Sequence, residues 1–115
     1  MTDAILGARA HVLHDLAARG LTDATAVSLV EDVLSQRRWW VDEWPEGAAY
    51  VAGQVAQDVQ DRLLEGHARW PLCTRCAPES RPHELHIAPE LGPDPRWVCE
   101  ESGADVAPLG NLPAT

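Results

Sequence analysis

A chain of 115 residues has room for one domain, or one domain with a small appendage, and 45% apolar content is enough to build a core. The formal net charge is −9 and all nine basic residues are Arg, so the surface repels phosphate backbones and argues against nonspecific binding to nucleic acid or to anionic membranes. Asp3, Arg9 and Asp15 interrupt the stretch from Met1 to Gly20, and no apolar run is long enough to cross a bilayer. The chain is therefore expected to be cytoplasmic, with reduced thiols.

The first two thirds read as helical. Ile5, Ala8, Val12 and Leu16 recur at helical spacing, Leu6 and Leu13 widen the stripe, and Thr2 is a candidate N-cap. This predicts a first helix to about Arg19, with Gly20 placed for a left-handed C-cap. Thr22 or Asp23 opens a second helix whose inward face is Ala26, Val27, Val30, Val33 and Leu34, with Arg37 and Arg38 near its C-terminal end. Trp39–Gly47 is ambiguous, but Trp44 precedes Pro45, which disfavours helix at Trp44 and predicts a break there. Pro45 suits the first turn of a third helix over roughly Glu46–Glu65, with Ala48, Ala52, Val55, Val59 and Leu63 as its stripe and Gly66 at its end.

From Trp70 the texture changes, because eight of the nine prolines lie between Pro71 and Pro113 and exclude a long helix. Two extended runs, His83–Ala88 and Arg96–Glu100, flank Gly92-Pro93-Asp94-Pro95 and read as a hairpin; a third short run is Asp105–Leu109. So small a β unit is marginal in water.

The three cysteines supply what would hold it. Cys73-Thr74-Arg75-Cys76 is a C-x2-C pair, His83 and His86 follow, and Cys99 sits on the second extended run. A tight C-x2-C turn offers two thiolates to adjacent vertices of a tetrahedron, and a hairpin can return the other two donors. Zinc accepts such a mixed sulfur and nitrogen set. The expected ligands of Zn2+ are Cys73, Cys76, Cys99 and one histidine, His83 or in its place His86. In an ideal strand these two histidines face opposite ways, and a one-residue slip would exchange them. A redox role for the C-x2-C pair is disfavoured by Pro78 and Pro82, which leave no helix N-terminus to activate a thiol. A Cys–His catalytic pair would leave two cysteines unexplained, and three inert cysteines would not need ligand spacing.

This tail resembles the zinc-ribbon class of small domains, with a C-x2-C knuckle, a hairpin and a returning ligand strand. His83-Glu84-Leu85, Trp97 through Gly103, and Val106 through Gly110 also resemble the ends of short uncharacterised bacterial proteins. The second knuckle departs from a standard ribbon, because Cys99 has no cysteine partner two or three residues later. The resemblance implies a structural metal and a binding surface.

Elsewhere, His11 and His14 lie at i and i+3 beside Asp15, a pattern that a second metal site or an ordinary helix face both satisfy. Arg37, Arg38, Trp39, Trp40 and Trp44 form a candidate contact cluster, with Asp42, Glu43 and Glu46 cancelling its charge. The expected fold class is α+β: a helical bundle over residues 1–68 and a zinc-stapled β-hairpin over 69–115. The expected function is a non-enzymatic protein-interaction or adaptor module with a protein partner or a second copy of itself. The alternative is a zinc-ribbon regulator associated with nucleic acid, which would need an Arg patch built from Arg69, Arg75, Arg81 and Arg96.

Overall fold

The computed structural model describes residues 2–114, with side chains described from Ala4 onward. The Thr2 cap therefore lies outside the described side chains. Three helices, α1 (Thr2–Ala18), α2 (Ala24–Glu43) and α3 (Val51–Glu65), precede three short strands, β1 (His86–Ala88), β2 (Arg96–Val98) and β3 (Asp105–Pro108). The fold is α+β. The strands form one antiparallel sheet in the order β1-β2-β3, with a register irregularity between Trp97 and Val98 where β2 meets β3.

On α1 the stripe Ile5, Ala8, Val12 and Leu16 is buried, and Leu13 is half-buried. Leu6 is instead 58% exposed, so it does not widen the stripe: one position past Ile5 lies about 100° further round the helix, beyond the reach of the neighbouring elements. The helix ends in a Schellman turn. Leu21 N–H donates to the Leu16 carbonyl, Gly20 N–H donates to that of Ala17, and Gly20 takes φ +74°.

Asp23 caps α2 by accepting from Ala26 N–H at 2.8 Å. The helix then runs five residues past Arg38, because no breaker intervenes before Pro45 and Val41 continues the buried face of Val30, Val33 and Leu34. The break at Trp44 falls as the following proline requires. Pro45–Ala49 forms a 3₁₀ turn rather than the start of α3. Gly47 is wedged there against two indoles: a Cβ would lie 2.8 Å from the Trp44 ring and 2.9 Å from that of Trp40. On α3, Val55, Val59 and Leu63 are buried and Ala52 is only half-buried; Ala48, expected on the same stripe, falls in the 3₁₀ turn and is half-buried too. Gly66 follows the last helical residue, but the left-handed position falls on His67, at φ +68°.

One apolar cluster runs through both halves, joining Val12, Val30 and Val55 of the helices to Trp70, Leu85, Trp97 and Leu109 of the tail. Trp70 and Trp97 meet edge to face at its centre, with ring centroids 5.2 Å apart. Burying two indoles requires two acceptors. Trp70 Nε1–H donates to the Asp15 carbonyl oxygen at 3.2 Å, and Trp97 Nε1–H donates to the Asp15 carboxylate at 2.8 Å. Asp15 is fully buried, and its carboxylate also accepts from Gly110 N–H at 2.7 Å and Leu112 N–H at 3.0 Å. A single α1 side chain thus ties the helices to β2 and to the C-terminal segment. Gln60 on α3 adds a second tie, donating from Nε2 to the Leu85 carbonyl at 2.7 Å and to that of Trp70 at 3.1 Å.

Candidate metal centre

The backbone brings the donors together in two steps. Leu85 N–H donates to the Pro71 carbonyl and Cys73 N–H to that of His83, both at 2.8 Å, so the approach to the knuckle runs alongside the approach to β1. His83 is thereby set beside Cys73. The β1–β2 register pairs His86 with Val98, so Cys99, one step past β2, returns to the same end of the sheet. Gly103, at φ +78°, then closes a turn in which its N–H donates to the Cys99 carbonyl at 2.7 Å.

Cys73, Cys76, His83 and Cys99 converge so that one donor atom from each lies within 4.8 Å of every other. The Cys73 and Cys76 sulfurs are 3.8 Å apart, and those of Cys76 and Cys99 are 3.6 Å apart. His83 Nε2 lies 3.5 Å from Cys76 Sγ and 3.4 Å from Cys99 Sγ. A tetrahedral zinc with bonds of about 2.3 Å to sulfur and about 2.05 Å to nitrogen requires edges of about 3.8 Å between sulfurs and about 3.6 Å from sulfur to nitrogen. The measured edges match that size to within about 0.2 Å. All three cysteines are free, and none of these separations approaches the roughly 2.05 Å of a disulfide.

The surrounding hydrogen bonds suit ligation. His83 Nδ1 lies 2.7 Å from the Arg81 carbonyl oxygen; donating its proton there leaves the Nε2 lone pair facing the three sulfurs. Arg75 N–H donates to Cys73 Sγ and Ser102 N–H to Cys99 Sγ, each at 3.4 Å. Ser102 stands where a second knuckle would carry its second cysteine. It contributes an amide proton to the sulfur, and His83 takes the fourth vertex. The cluster can hold a metal ion.

The other sequence candidates lie apart. His86, the alternative ligand, is exposed on β1 with Nε2 3.4 Å from a Glu100 carboxylate oxygen. Extended backbone over three residues turns it away from the face that carries His83. His14 Nδ1 is 2.8 Å from the Asp15 carboxylate, while the His11 ring rests where a Cβ on Gly110 would sit, 2.7 Å from it. Neither histidine belongs to a metal-competent cluster among the described residues. Asp15 is the important residue that sequence reasoning passed over. Its one signal was an acidic residue directly beside the buried Leu16 on an otherwise apolar stripe.

Three thiols this close compete for protons. Hydrogen bonds from the Ser102 side chain and amide, with His83 assisting, hold Cys99 down at about 6. Cys76 is pushed up to about 11, first by its hydrogen bond to Cys99 and then by burial and Cys73. The Arg81 carbonyl, followed by Cys99, raises His83 to about 9. At pH 7 the metal-free cluster therefore holds protons on Cys76 and His83, and a metal must displace both. Affinity should rise with pH: the apparent association constant, measured by competition with a chelator of known affinity, is expected to increase by at least about two powers of ten per pH unit between about 7 and 8. Below about 6 the slope should steepen as Cys99 also takes a proton. An affinity independent of pH across this window would contradict the arrangement.

No curated protein and no solved structure matches the chain. A family model described as a domain of unknown function, DUF8819, matches residues 1–109. That match spans all three helices, the sheet and every donor of the cluster, and the chain belongs to the DUF8819 family.

Proposed function

We propose that this chain is a non-enzymatic protein-interaction or adaptor module whose C-terminal half is held by one structural zinc ion. The observation that carries this reading is the completeness of the donor set. Three sulfurs and one imidazole nitrogen fill four vertices, whereas a catalytic zinc keeps a position for water or substrate. A contact surface is available on the helical half, where Trp39 is 66% exposed. Observations on the arginines favour a protein partner over nucleic acid. Arg69 pairs with Glu84 and Arg96 with Asp105, so two of the four arginines of the postulated basic patch are already neutralised within the chain.

X-ray absorption at the zinc edge tests the reading. Protein purified without chelators is expected to hold one zinc with three sulfur neighbours at about 2.3 Å and one nitrogen at about 2.05 Å. A water or carboxylate oxygen in place of any of the four donors would overturn the structural role and reopen an enzymatic one.

A further inference from the structure

The cleft between α2 and α3 has a volume of about 410 Å³, and its lining includes Arg37, Trp39, Trp40, Asp58, Asp61 and Arg62. It already contains one complete cation site. The Arg37 guanidinium lies 5.0 Å from the centroid of the Trp40 ring, and two of its three nitrogens reach the Asp58 carboxylate at 2.6 and 3.0 Å. An aromatic face and a carboxylate here hold one guanidinium between them, a combination that favours Arg over other cations.

Trp39 and Asp61 present the same two components in the same cleft, without the cation. Trp39 is the most exposed large apolar side chain of the described residues, and Asp61 makes no ion pair among them. Arg62, the other cation on the cleft, is directed to Asp32 at 3.8 Å. Asp42 and Glu43 lie one turn beyond Trp39 on α2, both exposed. Among the described residues, Arg38 is the one exposed cation of this stretch without an ion pair. Unpaired carboxylates thus outnumber it around the indole, on a chain whose net charge is −9.

We propose that this cleft docks a basic segment of a protein partner, with an Arg or Lys side chain of the partner lying on the Trp39 ring and its charge meeting Asp61. The inference rests on the interaction-module reading and supplies its partner chemistry. The Arg37–Trp40–Asp58 unit serves as a rigid wall, and Trp39 with Asp61 forms the recognising half. Attraction to the surrounding carboxylates speeds encounter, and the indole selects a cation that is planar or weakly hydrated.

The test is titration of the full, metal-loaded chain with an oligo-arginine peptide, followed by Trp fluorescence and calorimetry. Binding is expected, weakening several-fold when salt rises from about 0.05 to about 0.3 M. Trp39→Ala and Asp61→Asn should each weaken it by about tenfold, and Trp39→Phe should recover part of the loss. Glu79→Gln makes the same charge change on an exposed loop away from the cleft and should leave the affinity within about twofold. If Glu79→Gln weakens binding as much as Asp61→Asn, the attraction is diffuse and the docking site is wrong. No binding at low salt also overturns it. Sedimentation at the same concentrations distinguishes the remaining occupant: a dimer that Trp39→Ala converts to monomer would mean that the cleft receives a second copy of this chain. That result would overturn the basic partner and leave the interaction-module reading standing, whereas an open zinc position would sink that reading whatever the peptide titration shows.

Discussion

Stripping the metal with a strong chelator is expected to release the segment from Trp70 to Leu112 from its ordered state, and Cys99→Ser should do the same. The reason lies in how little regular structure the segment has of its own beside the packing of Trp70, Leu85, Trp97 and Leu112 on the helices. Its strands are three or four residues long, the hydrogen bonds of the Cys73 and Leu85 amides depend on the knuckle and β1 staying side by side, and that of the Cys99 amide only closes the turn to Ala104. A structural zinc contributes on the order of 10 kcal/mol, comparable with the whole stability of an ordinary domain. Hydrogen exchange is the direct measurement. The amides of Cys73, Leu85, Cys99 and Leu109, each bonded to a backbone carbonyl in the folded chain, should lose protection, and the emission of Trp70 and Trp97 should move to the red. The helices should keep part of their protection, because Val30, Val33, Val55 and Val59 are buried among one another. Retention of tail protection in demonstrably metal-free protein would defeat the structural role of the cluster.

The second large effect belongs to Asp15. Replacing it with Ala should cost about 3–5 kcal/mol, because three donors lose their acceptor together: the buried Trp97 indole N–H and Leu112 amide and the part-buried amide of Gly110. Asp15→Asn is the sharper variant. It preserves volume, yet its NH₂ must face either Trp97 and Gly110 on one oxygen's side or Leu112 on the other, so a donor meets a donor whichever way it turns. A loss of about 2–4 kcal/mol is expected from chemical denaturation. His14→Ala removes the half-exposed fourth partner and should cost under about 1 kcal/mol. An Asp15→Asn protein within about 0.5 kcal/mol of the parent would show that the carboxylate is not the joint between the halves. Both variants should retain the metal at high protein stability, since Asp15 touches none of the four donors.

Much of this molecule follows from local rules. The spacing of Val30, Val33 and Leu34, or of Val55, Val59 and Leu63, states which helix face is inward, because a period of 3.6 residues leaves no other choice. Gly20 and Pro45 mark their turns for equally local reasons, a permitted positive φ and a missing N–H. The donor set was legible too, since a C-x2-C turn constrains its own two sulfurs. The choice between His83 and His86 was not, because it depends on a pairing that sequence spacing leaves open by one residue: Cys73 N–H on the His83 carbonyl. The path of α2 between Arg38 and the break at Trp44 was equally hidden. Trp39, Trp40 and Val41 are poor evidence for helix by themselves, and only the burial of Val41 against the core extends the element to Glu43.

Asp15 marks the boundary most clearly. Its neighbours in sequence are a histidine and a leucine, and nothing near it needs a carboxylate. The need arises 82, 95 and 97 residues away, in an indole and two amides that lose water when the tail closes over α1. The chain alone determined its helices, its proline-bound extended tail and the identity of its sulfur donors, since each depends on residues within a few positions. Which imidazole joins the sulfurs and which acid satisfies the buried indole were decided only when distant segments met, because desolvation has no counterpart in local spacing.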